Sequence, residues 1–326
     1  MTTTNVHVLH PAAPQLAAFL RVGHTGQQKL EALHAANRLS YKRVVFDAAH
    51  VRGQRDLFTL LSNAGFEIVL DLNVAETAAP GRYGSAVRKL PWGNPERPWT
   101  PSDFSSLRND DFCRRMAEFA VEMGVSAVLA PTHSVGEKSD DWRAVDLASC
   151  ARLRTELDRA GGGSIGIDYQ VIITTRDLRD ATRRATAIND ISALPVQNVW
   201  LRMSGFGATA TGSGTRHVIE AIRDLHAIGR PLVIDMTGGF AGLSALAFGA
   251  VGGISHGVAE KESFDLAGWR KVPPERRGGG MQARMYVADL DRYLTEEQAS
   301  VFSRHAGRRH ALGATTRRVA TPASTT

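Results

Sequence analysis

The chain has 326 residues, 43% of them hydrophobic, and a net charge of +6 from 39 Lys and Arg against 33 Asp and Glu. This fits one large α/β domain of ordinary globular composition and excludes fibrous or low-complexity classes. No apolar run approaches the ~18 residues of a membrane span, the opening MTTTNVHVLH lacks the basic and apolar regions of a signal peptide, and two cysteines cannot build a disulfide framework.

A cytoplasmic location is therefore expected, with Cys113 and Cys150 as buried small hydrophobes. The charge is uneven. From Arg270 onward there are 11 Lys and Arg against 5 Asp and Glu, and the preceding 269 residues carry 28 of each sign. The basic character belongs to a C-terminal extension.

In chain order, VHVLH reads as a first strand. QLAAFLRVGHTGQQKLEALHAANRL has helical spacing and a break near Gly23. RVVFDA and EIVLDL are continuous apolar runs, as in strands buried on both faces, with RDLFTLLSNAG a helix between them. Residues 75–109 form the longest irregular segment; Trp92 and Trp99 give it something to pack with, and Arg82, Arg88, Lys89 and Arg97 make it a candidate basic lid. DFCRRMAEFAVEMG is an amphipathic helix and AVLAPTH the next strand. A helix follows, closing on glycines, then the long strand SIGIDYQVII, in which Asp168 and Gln170 share a face; with that face inward, Tyr169 packs against helices. A helix ending at Pro195, the strand NVWLRMS, a glycine-rich turn and another helix lead to PLVIDMT, a short helix and GGISHG.

Eight strand words alternating with helices predict a (β/α)8 barrel, with an open doubly wound sheet as the second reading. The expected division is a barrel over 1–269, a basic extension with one helix packed on it over 270–313, and a disordered tail over 314–326. Barrels place chemistry at the C-terminal ends of their strands. Those ends carry His10, Asp47, Asp71, His133, Asp168, Arg202, Asp235 and His256. Carboxylates crowded into a partly dry mouth repel one another, which raises some pKa values and makes acid/base pairs. Asp71 and Asp235 are the first choices for that work, with Asp47 and Asp168 in reserve, His133 assisting and Arg202 orienting an anionic substrate or pairing with the acids. Hydrogen-bond anchoring of the barrel end is the competing role for each.

The stretch TGGFAGLSALAFGAVGGISHG puts Gly238 and Gly239 after the seventh strand and His256 and Gly257 at the end of the eighth. Glycines let a backbone approach a ligand, and a helix N-terminus favours an anion. The stretch resembles the phosphate grip of flavin- and nucleotide-binding barrels such as the inosine-monophosphate dehydrogenase group. That resemblance implies phosphate binding by Gly238, Gly239 and Gly257; His256, at a strand end, is a further candidate for substrate binding. The chain departs from the group in the loop SGFGATATGSGT, which has no cysteine nucleophile, so a flavin enzyme of that type is not supported. Zinc and iron–sulfur spacings are missing, including the zinc site of base-exchanging transglycosylase barrels, and no metal is assigned; the cofactor stays unknown. LPWG at 90–93, APTH at 130–133, SGFG at 204–207 and GGFAGLSALAFGA make the chain resemble uncharacterised bacterial (β/α)8-barrel proteins, which implies the fold and no activity.

The expected function is an enzyme acting on a small anionic ligand, a nucleotide or sugar phosphate, by carboxylate and histidine chemistry. A glycosyl-transfer or base-exchange enzyme on nucleosides or nucleic acid is the first alternative, with RHAGRRH and TTRRV as the polymer contact. A non-catalytic binding or assembly module is the second. Self-association stays open.

Overall fold

A computed structural model of the chain describes residues 18–24, 26–134, 140–207, 210–257, 263–272, 284–287 and 292–303. The chain divides into two compact units, Met1–Val272 and Pro273–Thr326. In the first, eight parallel strands close into a barrel in sequence order: β1 (Ala18–Arg21), β2 (Arg43–Asp47), β3 (Glu67–Asp71), β4 (Ala127–Leu129), β5 (Gly166–Thr174), β6 (Val199–Ser204), β7 (Leu232–Asp235) and β8 (Gly253–His256). One principal helix follows each strand: α1 (Gln27–Ala35), α2 (Arg55–Asn63), α3 (Ser106–Met123), α4 (Asp140–Arg159), α5 (Ala181–Ser192), α6 (Gly212–Asp224), α7 (Gly239–Ala247) and the short α8 (Leu266–Arg270). This is the (β/α)8 barrel, and the open sheet is set aside because β1 pairs with both β2 and β8.

The first strand differs from its expectation. VHVLH, with His7 and His10, lies outside the described residues, and AFLR occupies the first barrel position. Its register explains why: Leu20 pairs with Val44 on one side and His256 on the other. Phe19 and Arg21 then face inward while Leu20 packs outward. Four residues of alternating direction are too few to stand out from a helix-like apolar pattern, and tertiary pairing decides.

Alternation along every strand splits the core in two. Outward residues such as Val44, Phe46, Leu70, Tyr169 and Ile234 pack against the helices. Inward residues Phe19, Val45, Val69, Ala127, Leu129, Trp200 and Val233 fill the lower barrel. Thr211 caps α6 by accepting from the Gly214 amide at 3.0 Å, and Gly124 ends α3 at φ 65°. Cys113 and Cys150 are buried, and burial pushes the Cys150 thiol up to about 12 and raises that of Cys113 as well. Among the described residues no helix is long and apolar enough to cross a membrane. The second unit contains an antiparallel pair, β9 (Arg284–Val287) with β10 (Arg292–Thr295), followed by α9 (Glu296–Ser303). RHAGRRH and TTRRV lie outside the described residues.

Candidate functional site at the C-terminal mouth of the barrel

Above the apolar layer the barrel interior turns ionic. Asp47 and Asp71 pair in register at the ends of β2 and β3, and Arg202 pairs with Asp235 across β6 and β7. Arg21, from β1, joins them. Its Nε and Nη2 donate to the two oxygens of Asp235 at 2.6 and 2.9 Å, and its Nη1 lies 3.3 Å from Asp47 and 3.0 Å from Asp71. Arg202 donates from Nε to Asp235 at 2.9 Å and from Nη2 to Asp71 at 2.6 Å. Gln170 adds a bond to Asp235 at 3.2 Å. Asp235 therefore sits under two guanidinium groups with no exposed surface, and Arg202 has none either.

Loops hold the network from the side. Asn73 adopts a left-handed conformation at φ 54°, which asparagine tolerates. Its amide donates to Asp71 at 3.0 Å and its side chain to Glu76 at 3.3 Å. The Glu76 carboxylate approaches Nη1 of Arg202 at 4.0 Å. Met236, directly after Asp235, is also left-handed at φ 52°, which is uncommon for an unbranched apolar residue.

Burial alone would raise the pKa of Asp71 and of Asp235, but the charges of Arg202 and Arg21 outweigh it and hold both carboxyls below the ordinary range. Burial likewise works against both guanidinium charges, and the surrounding carboxylates, Asp235 first, keep them above the ordinary arginine value. Both acids stay ionised at neutral pH, so neither is a general acid there. The expectation that some of the crowded carboxylates are raised is not met at these two, because they face arginines rather than one another.

Asp168 behaves differently. It faces inward, as does Gln170, and Tyr169 packs outward, but Asp168 is the third residue of the nine-residue β5 and lies low in the barrel. It accepts from the Trp200 indole at 2.8 Å and from the Asn198 side chain and amide at 2.8 and 3.1 Å. Burial raises its pKa, the neutral donors pull back only partly, and it settles at about 6. The unusual length of β5 is why the strand-end position expected for Asp168 is wrong.

His256 is also placed otherwise than expected. Ser255 faces inward opposite Asp235, so the next residue must face out. The His256 ring lies 3.4 Å from the Tyr41 hydroxyl, and its Nδ1 is 2.9 Å from the Gly257 carbonyl. Gly257 follows β8, Gly238 caps α7 without a side-chain bond, and Gly239 opens α7 at φ 62°.

His133 stands beyond β4 with its own partner, which the sequence did not reveal. Asp146 of α4 accepts from the His133 amide at 2.8 Å and contacts Nδ1 at 2.6 Å. The ring stacks on Trp142 at 3.6 Å with 13° between planes. A carboxylate at Nδ1 fixes the proton there and leaves Nε2 as the acceptor in the neutral ring. That Nε2 is buried and has no partner. Thr132 Oγ1 beside it, Nη1 of Arg202 and Oγ of Ser255 likewise lack a hydrogen-bond partner, Nη1 having only the Glu76 carboxylate at 4.0 Å. Buried polar atoms without partners are few in native proteins; here four belong to β6, β8 and the segment after β4.

The mouth is covered, though not by the Trp92 region. Trp92 is buried against Phe119 of α3 and donates to the Leu72 carbonyl at 3.0 Å, and Arg97 is engaged by Asp103 at 2.6 Å. The cover is the segment from Phe264 to Trp269, clustered with Ala75, Ala79, Ile172 and Met236. Trp269 places its ring 5.9 Å from the Arg202 guanidinium and 5.4 Å from that of Arg82. Among the described residues no group of three or more His, Cys, Asp or Glu is placed to hold a metal ion.

Arg21, Asn73, Glu76, Asp146 and Trp269 were not among the expected site residues. The signal for Arg21 was the apolar run FLRV stopping at Gly23.

No known protein family matches the chain, and no curated protein does. Solved structures are similar to it over most of its length. A mutant of xylanase A from P. fluorescens subsp. cellulosa is 10% identical with a TM-score of 0.44, covering 70% of this chain and 72% of that one. KGPDC from Streptococcus mutans is 12% identical with a TM-score of 0.39, over 80% and 95% of the two chains. Type I 3-dehydroquinate dehydratase from Clostridium difficile is 7% identical with a TM-score of 0.44, over 79% and 91%. Likeness at this level adds nothing to the topology described above.

Proposed function

We propose that the chain is an enzyme acting on a small oxygen-rich ligand, a sugar phosphate or nucleotide, at the C-terminal mouth of the barrel. The observation that carries this reading is the pair of buried polar atoms at inward-facing strand ends that lack a hydrogen-bond partner, Arg202 Nη1 and Ser255 Oγ; Thr132 Oγ1 and His133 Nε2, just beyond β4, lack one as well. Two are hydroxyls, one a donor and one a ring nitrogen, a set that suits hydroxyl and carbonyl oxygens. Arg21 and Arg202 face Asp47, Asp71, Asp235 and Glu76, so the network itself is net negative and repels an anion. An anionic group belongs instead at the first turn of α7, where Gly238 and Gly239 bring backbone amides forward. In this reading Asp71 and Asp235 position the arginines, Arg202 holds a neutral oxygen, and His133 moves the proton with Asp146 orienting it.

Calorimetric titration of the intact protein with ribose 5-phosphate, ribose and inorganic phosphate tests this. Ribose 5-phosphate should bind at least tenfold more tightly than either part. Ser255→Ala should weaken that binding without lowering stability, because the hydroxyl it removes has no internal partner. No binding by any of the three overturns the reading.

A second reading, a non-catalytic binding module, is favoured by the charge-paired acids and the Trp269 cover. Ribose 5-phosphate that binds and is recovered unchanged after long incubation would move the balance to it. The nucleic-acid alternative relies on RHAGRRH and TTRRV, outside the described residues, and has no support of its own.

A further inference from the structure

A cavity of about 600 Å³ opens on the outer side of β5, between that strand and α4 and α5. It lies on the outer face of β5, where Tyr169 and Val171 point, whereas Arg21, Asp71, Arg202 and Asp235 point inward; Asp146, the partner of His133, is the residue the two regions share. Protein interiors contain few voids larger than a water molecule, and this volume lies within the range of small-molecule pockets. Its floor is Tyr169, Val171 and Ile191, with Ala187 on the α5 wall.

Two polar side chains in its lining are at least nine-tenths buried, Asp146 and Tyr169. The other charged side chains nearby also have partners, with Arg183 lying 3.6 Å from Asp177. Arg143 is held by both oxygens of Asp190, at 2.5 and 2.6 Å, and Asp180 caps α5 by accepting from the Arg183 amide at 3.1 Å. Asp146 gives each of its oxygens to one His133 nitrogen. An ionised carboxylate has about four acceptor positions, so roughly half of its capacity is left, on a buried group that lines an apolar-floored space. Acids outnumber arginines in this lining, Asp146, Asp180 and Asp190 against Arg143 and Arg183. An anion is disfavoured and a cationic donor favoured. Burial raises the Tyr169 hydroxyl well above its ordinary pKa, so it remains a neutral donor and acceptor.

We propose that this cavity is a second ligand site, for a small amine with an aromatic or aliphatic ring. The ammonium group meets Asp146 and the ring lies on Tyr169, Val171 and Ile191. Because Asp146 also orients His133, occupancy of the cavity would be felt at the mouth.

The test uses the full-length protein with tryptamine as probe, with indole-3-propionate as the anionic counterpart of similar size. Tryptamine should bind at least tenfold more tightly than indole-3-propionate. Hydrogen exchange in its presence should slow in α4 and α5. Ala187→Trp, which fills the space, should abolish binding, and Asp146→Asn should weaken it tenfold or more. Exchange on the unmutated protein keeps the test decisive should either variant fold poorly. Equal or tighter binding of the propionate, protection confined to other elements, or no tryptamine binding up to millimolar concentration would each overturn the proposal. The probes differ from those for the mouth, so one site can fail without the other.

Discussion

The barrel interior holds two carboxylate environments one layer apart. In the upper layer Asp71 and Asp235 meet full charges, Arg21 and Arg202, and are held ionised. In the lower layer Asp168 meets only neutral donors from Trp200 and Asn198, and burial lifts it to about 6. Depth does not separate them, since all three are nearly inaccessible. What differs is whether the partner brings a compensating charge. Dipoles alone leave part of the desolvation penalty standing; guanidinium groups cancel it.

The most severe way to break that contrast is Asp235→Asn. It leaves Arg21 and Arg202 short of a shared counter-charge in full burial, and urea unfolding should show a loss of about 3–5 kcal/mol, the usual cost of orphaning a buried ion. The double change Asp235→Leu with Arg202→Met should cost less than the sum of the two singles, a coupling readable in a double-mutant cycle.

The two layers should also answer pH in opposite directions. Asp168 binds its proton more tightly folded than unfolded. Its contribution therefore falls as pH rises from about 4 to about 6, by an amount on the order of 3 kcal/mol. Asp71 and Asp235 are depressed, so theirs is present above the unfolded carboxyl pKa and lost as pH falls towards the folded values. Asp168→Asn should flatten the upper window and leave the acid limb in place. An unchanged slope between pH 4 and 7 would remove the distinction between layers.

A smaller effect should follow from Trp200→Phe. It deletes one donor to Asp168 and leaves the packing against Phe19 largely intact. The cost should be about 1–2 kcal/mol at pH 7, diminishing below pH 5, where a protonated Asp168 needs that donor less.

Strands β2, β3 and β7 were legible as buried apolar runs stopped by an acid, whereas β5, with Asp168 and Gln170 inside it, and β8, GISH, were legible from the βα alternation around them. Inward placement of Asp47, Asp71 and Asp235 followed from the same pattern. Arg21 was hidden because its strand is four residues long and adjoins a helix of similar polarity. Asp146 was hidden for another reason: it lies thirteen positions beyond His133, on a different element, and no local spacing links them. The lowered acids were unreadable without Arg21, since their electrostatics depend on a partner whose position the sequence did not disclose.

The seating of the mouth cover depends on the absence of a single methyl group. Gly81 donates to the Trp269 carbonyl at 2.7 Å, and a Cβ at that position would lie 2.2 Å from the Gly268 oxygen. Gly81→Ala is thus a minimal wedge: one added carbon that should push the Trp269 segment away from its seat. A substitution there acts on the seating of the Phe264–Trp269 segment and alters none of the charged side chains beneath it.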